Sequence, residues 1–146
     1  MTFDHVALNL TADKNLVYTA MSKYLFYFRM HISKYVFEQN KVPLNPFMMS
    51  EYFLVDTVER NIIRESNNIL VKRADEFWVF GTISNGVLAE LKIAQKMNKP
   101  IKYFKIENSK TILPISVDEV EMEDDVKEFK KDLKIENLPT GRQVKN

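Results

Sequence analysis

Residues 78–90 read WVFGTISNGVLAE, an apolar run that passes through a Ser/Asn/Gly turn into the start of a helix. Backbone N–H groups left free at such a start, helped by the Ser84 hydroxyl and the helix dipole, can hold an anion such as a phosphate. Ser84, Asn85, Gly86 and Val87 are therefore candidate binding residues. The competing role is an ordinary turn, with Ser84 or Asn85 as the helix cap. Glu90 follows in the first turn or so of the same helix, beside apolar neighbours. A carboxylate there is favoured by the helix N-terminus. It would suit attack at a sugar anomeric carbon, where a carboxylate can form a covalent glycosyl intermediate. Its alternative is a solvated helix glutamate.

The remaining polar residues offer less. Asp75 immediately precedes the stretch at 76–80 that reads as the central strand, and it reads as a residue that turns the chain or bonds neighbouring backbone. Arg29, Arg60, Arg64 and Arg73 lie in helical periods, where a surface role is the default, with Arg29 the most plausible phosphate partner of the four. Tyr24 could stack on a base or line a pocket. His5 and His31 make no metal or triad spacing with other residues, and a chain without cysteine has no disulfide or thiolate metal site. With three glycines, no GxGxxG and no Walker sequence, a dinucleotide-binding enzyme is disfavoured and no cofactor is expected.

These residues must be positioned by short elements. The 146-residue chain has one domain's length, and its sixteen Phe and Tyr residues argue against disorder. Strands are predicted at 16–20, 41–44, 76–80 and 101–106, with a short final strand or extended segment at 111–116. Residues 3–10 read as an extra edge strand or an arm. Helices are predicted at about 22–39, 51–64 and 87–97, with a short one starting at Ser66, Asn67 and Asn68, whose side chains are good caps. A charged surface helix over 121–133 would hold Val126, Phe129 and Leu133 against the body. Alternating strands and helices predict an α/β, Rossmann-like or flavodoxin-like three-layer sandwich around a mostly parallel sheet of four or five strands. Residues 1–136 are expected to form one domain and 137–146 a flexible tail.

In such a sheet, ligands bind beyond the C-terminal ends of the strands, which selects residues 19–24, including Thr19, Ala20 and Tyr24, then 45–49 and 81–90. The formal net charge of +1 gives no case for a nucleic-acid polymer or membrane as the main partner. Residues 118–136 alone carry nine acidic and four basic groups, the pattern of a solvated helix face or an interaction surface. No long apolar stretch or basic leader is present, so a cytoplasmic location is expected.

The stretches LVYTA at 16–20, VPLNP at 42–46, NNILVKRADEFWVF at 67–80 and SNGVLAELKIAQKMNKPI at 84–101 resemble the nucleoside 2-deoxyribosyltransferase superfamily. The superfamily includes a 2-deoxynucleoside 5-phosphate N-hydrolase branch and related phage and bacterial proteins. The resemblance spans roughly residues 16–105. It implies a hydrolase or transferase acting on the N-glycosidic bond of a nucleoside or its 5-monophosphate, with Glu90 as nucleophile. Ser84 and Gly86 would receive the phosphate, Asn45 and Pro46 would border the base, and Asp75 matches the family's Asp before the central strand. The resemblance also implies a homodimer or larger homo-oligomer. Two departures stand out. Asn67 occupies the place of the family's acidic aspartate, and an amide can hold a base but cannot donate a proton as a carboxylic acid does. Ala20, Met21, Ser22 and Lys23 replace a small, glycine-containing loop. Leaving-group protonation would then fall to Asp56, Glu59 or a subunit partner. The alternative function is a non-catalytic nucleotide-binding or sensor protein on the same fold.

Overall fold

The apolar runs that read as strands do form them. In the computed structural model, which describes residues 1–50 and 52–134, they join one sheet. The strands are β1 (Leu16–Met21), β2 (Val42–Leu44), β3 (Glu76–Phe80), β4 (Ile101–Glu107) and β5 (Thr111–Ile115). Their order is β2-β1-β3-β4-β5, so β3 lies in the middle, where the unbroken apolar run Phe77 to Phe80 belongs. All pairings are parallel except β4 with β5, an antiparallel hairpin at one edge. Opposite each other across β1 and β3 stand Tyr18 and Phe77, Thr19 and Trp78, Ala20 and Val79.

Strand alternation sorts these side chains between two cores. Tyr18, Ala20, Phe77 and Val79 point to one face, against Val71, Leu88, Leu91 and Ala94. The helices there are α4 (Arg60–Arg73) and α5 (Asn85–Lys96). Val17, Met21, Trp78 and Phe80 point to the other face, against Ile32 and Val36 of α1 (Arg29–Glu38). The three-layer arrangement is the one predicted.

Several local expectations are corrected. Of the two readings of residues 3–10, the edge strand fails and the arm holds: Val6–Asn9 is a 3-10 turn, favoured by His5 Nδ1 accepting from the Ala7 N–H at 3.1 Å. The helix expected from residue 22 begins as a 3-10 segment, Lys23–Phe28, before α1. Residues 46–73 divide differently from the prediction, into α2 (Pro46–Met49), α3 (Tyr52–Thr57) and α4. The break falls at Val58 and Glu59, where the Glu59 carboxylate accepts from the Asn61 N–H at 3.0 Å and caps α4. Ser66, Asn67 and Asn68 lie inside α4 and start no helix. The charged C-terminal segment is a 3-10 helix, Asp124–Lys134; Val126 and Leu133 are buried, whereas Phe129 is exposed. The tail expected over 137–146 lies outside the described residues. Among the described residues, no helix is long and apolar enough to cross a membrane.

At the N-terminal edge of the sheet, Glu76 ties three elements together. Its carboxylate accepts from Asn15 Nδ2 at 2.7 Å, Lys41 Nζ at 2.7 Å and Trp78 Nε1 at 2.9 Å. Burial alone would raise its pKa. The donors of Asn15, Lys41 and Trp78 and the Lys41 charge overcome this and lower it to about 2.

Candidate active site

Three side chains from three elements meet on the α4–α5 side of the sheet. Tyr18 leaves β1 fully buried and stacks on Phe77, ring centroids 5.5 Å apart. A buried phenol needs a hydrogen-bond partner, and the Tyr18 hydroxyl donates to Glu90 Oε2 at 3.0 Å. Glu90 is the sixth residue of α5, so it sits in the second turn and turns inward where the helix crosses β1. From α4, the Asn67 side chain also hydrogen-bonds the Glu90 carboxylate. The Asn67 carbonyl oxygen, Oδ1, is buried and has no partner in the protein.

Burial dominates the electrostatics. It pushes the Glu90 pKa from 4.5 to about 7, even though the hydrogen bonds from Tyr18 and Asn67 favour the ionised form. Sequence reasoning expected an ionised carboxylate helped by the helix N-terminus. The half-buried position in the second turn, packed round by its neighbours, makes desolvation the larger effect, so Glu90 is divided between its acid and base forms near neutrality. The Tyr18 phenol is pushed well above its ordinary range by burial first, then by the charge and hydrogen bond of Glu90. It therefore stays protonated as a donor. A carboxyl poised near pH 7 beside a neutral donor can act as a nucleophile or a general base when ionised, and as an acid when protonated.

The other sequence-predicted residues are dispersed. Ala20 lies on the same sheet face as Tyr18. Thr19 points the other way by strand alternation, and its buried hydroxyl has no protein partner. Asn45 and Pro46 lie by α1: Asn45 Oδ1 accepts from the Phe47 N–H at 3.0 Å, and its Nδ2 donates to the Arg29 carbonyl and Ser33 Oγ, both at 3.1 Å. Pro46 is the first residue of α2. Asp75 accepts from the Leu16 N–H at 2.7 Å, at the end of the strands remote from the predicted ligand side.

The α5 start is built as a cap. Ser84 Oγ accepts from the Val87 N–H at 3.3 Å, and Asn85 Nδ2 donates to Asp125 Oδ2 at 3.3 Å. Gly86 is exposed with open space where a Cβ would stand, and Val87 is buried. The chain at 121–123 runs along this loop through a parallel bridge between Ile83 and Met122. That places the Asp125 carboxylate beside the helix start an incoming phosphate would approach.

Gly81 has the stricter backbone role. Its φ is +79°, and a Cβ there would come within 2.8 Å of Leu25 Cδ1. Gly81 and Ser22 border a crevice of about 380 Å³ beyond β1 and β3, the point where the strand order reverses. Exposed Tyr24 lines this crevice, with Thr82 and Glu123.

Tyr18 is the site residue that sequence reasoning missed. The available signal was a tyrosine inside an apolar strand, whose hydroxyl would require a buried partner. Among the described residues, no group of three His, Cys, Asp or Glu side chains is placed to hold a metal.

An α/β sheet with a half-buried carboxyl clasped from a strand and a neighbouring helix is the class that fold and site define. The chain belongs to the family described as "Domain of unknown function (DUF7768)", which matches residues 19–104. That span runs from Thr19 in β1 to Phe104 in β4 and contains Asn67 and Glu90. No curated protein matches the chain. Among solved structures it is similar to a 2-desoxiribosyltransferase from Leishmania mexicana, with 14% identity and a TM-score of 0.49. The match covers 80% of this chain and 97% of that one.

Proposed function

We propose that the protein cleaves, or transfers across, the N-glycosidic bond of a (deoxy)nucleoside or nucleoside 5-monophosphate, with Glu90 as nucleophile. The observation that carries this reading is the Glu90 carboxyl, half-buried, bonded to Tyr18 and Asn67, and shifted to about pH 7. In its ionised form the carboxylate attacks the anomeric carbon. The C–N bond breaks with its electron pair passing to the base, which takes a proton. Water or a second base then displaces the carboxylate and regenerates it. Tyr18 holds Oε2 and orients the other oxygen. Glu59 is a poor source of the leaving-group proton: it caps α4 eight residues before Asn67, roughly 12 Å along the helix. Ser84, Asn85, Gly86 and Val87 form the phosphate end of the proposed site, with Ala20 on the Glu90 side of the sheet.

A specific observation favours a second reading, a non-catalytic nucleotide-binding or sensor protein. Asn67 supplies no acid, and its buried Oδ1 has no protein partner, so it can accept from a ligand N–H. Incubation with the common nucleosides and their 5-monophosphates, followed by chromatography for free base, separates the readings. Base release supports the enzyme and names its substrate. Tight binding without release supports the sensor.

A further inference from the structure

Residues 1–15 lead away from the sheet beside β2, where the Val42 N–H donates to the Asn15 carbonyl at 3.0 Å. Every residue of this arm is exposed. It is nonetheless shaped by its own bonds: the Leu8 N–H reaches the His5 carbonyl at 2.9 Å, and the Leu10 N–H reaches the Ala7 carbonyl at 3.3 Å. It also carries Phe3, Val6, Leu8 and Leu10, exposed by 78%, 67%, 64% and 72%. Four large apolar side chains held on one exposed segment mark a surface that becomes covered.

A matching surface lies on the same side of the molecule. Met30 and Phe37 of α1 and Met48 of α2 border an open, apolar groove of about 460 Å³, with Ser33, Lys34 and Glu38 at its rim. Met30 and Phe37 are each more than half exposed. The end of α1 leads through residues 39–41 into β2, so the groove adjoins the root of the arm. β2 itself is three residues long and contains Pro43, which discourages strand-to-strand pairing at this edge. A contact here must therefore be made by side chains.

We propose that two copies of the chain exchange arms, residues 1–10 of each lying in the α1–α2 groove of the other. The exposed apolar side chains of one arm amount to about 500 Å², from the areas such side chains carry. Both arms and both grooves together bury on the order of 1,500 Å², within the range of specific, stable interfaces. Fifteen residues span up to about 50 Å, enough to reach across a two-fold axis.

The cysteine-free sequence makes the test direct. Wild type should sediment as a dimer at micromolar concentration. An arm variant (Phe3→Asp with Leu8→Asp) and a groove variant (Met30→Asp) should each sediment as monomers. Their equimolar mixture should recover a mixed dimer, because one intact arm then meets one intact groove; this also shows that both variants are folded. Separately made Leu8→Cys and Phe37→Cys chains should cross-link to each other on mild oxidation. A monomeric wild type, a dimer that survives both charge variants, or a Leu8→Cys, Phe37→Cys double variant that closes within one chain would overturn the proposal.

Discussion

The Tyr18 hydroxyl donates to the Glu90 carboxylate at 3.0 Å, across the contact between the first strand and the helix after the third. Because this bond favours the ionised carboxylate, Tyr18→Phe should raise the Glu90 pKa further above about 7. The acidic limb of the pH–rate profile should move upward, with a stability loss of about 1 kcal/mol. An unmoved limb would separate Tyr18 from the titrating group.

Glu90 should also cost stability at alkaline pH. Its folded pKa lies above its ordinary value of 4.5, so its favourable contribution is complete below pH 4.5 and is lost as pH rises through about 7. Glu90→Gln removes the charge, and should stabilise the fold at pH 8 by about 1–3 kcal/mol while leaving stability at pH 4.5 nearly unchanged. Chemical denaturation at the two pH values measures this.

Glu76 predicts the opposite dependence. Its folded pKa of about 2 lies below the ordinary 4.5, so its contribution is present above pH 4.5 and lost as pH falls from 4.5 to 2. The shift corresponds to about 3 kcal/mol. Glu76→Gln should flatten the acid limb of the stability profile and lower stability at pH 7 by a similar amount.

At the α5 start, Ser84→Ala should weaken binding of a monophosphate by about 1–3 kcal/mol while leaving the nucleoside unaffected. Asp125→Asn should tighten the monophosphate, because it removes a negative charge bonded to Asn85. Calorimetry with matched pairs checks both. Equal affinity for nucleoside and monophosphate would make the turn a helix cap only.

Much of this arrangement was legible because its signals are local. The apolar run at β3 and the Ser84 cap with the period of α5 each lie within a few residues, and the structure repeats them. Asn67 and Tyr18 were harder for the same physical reason. Ser66, Asn67 and Asn68 resemble a helix start locally, yet they continue α4, and Asn67 bonds a residue of the next helix. In β1, residues 17–21 are all buried, so alternation of hydrophobicity could not show which face Tyr18 takes. Thr19 was chosen for its place at the strand end, yet it is its neighbour Tyr18 that faces α5 and reaches Glu90.

Asn67→Asp tests what the site lacks for leaving-group protonation. It would place a second carboxyl beside Glu90, and like charges that close raise a pKa, supplying a proton near neutrality. Base release should rise by roughly tenfold or more, the lower end of what a positioned acid contributes. An unchanged rate would mean that the proton comes from elsewhere.

The most direct test of the account is release of free base from a nucleoside or monophosphate by wild type and Glu90→Gln under identical conditions, with ligand affinity measured alongside. Glu90→Gln keeps the side-chain shape and removes the nucleophile. Turnover should therefore fall by at least about 100-fold while affinity changes little. Wild-type turnover that persists in Glu90→Gln would contradict the account.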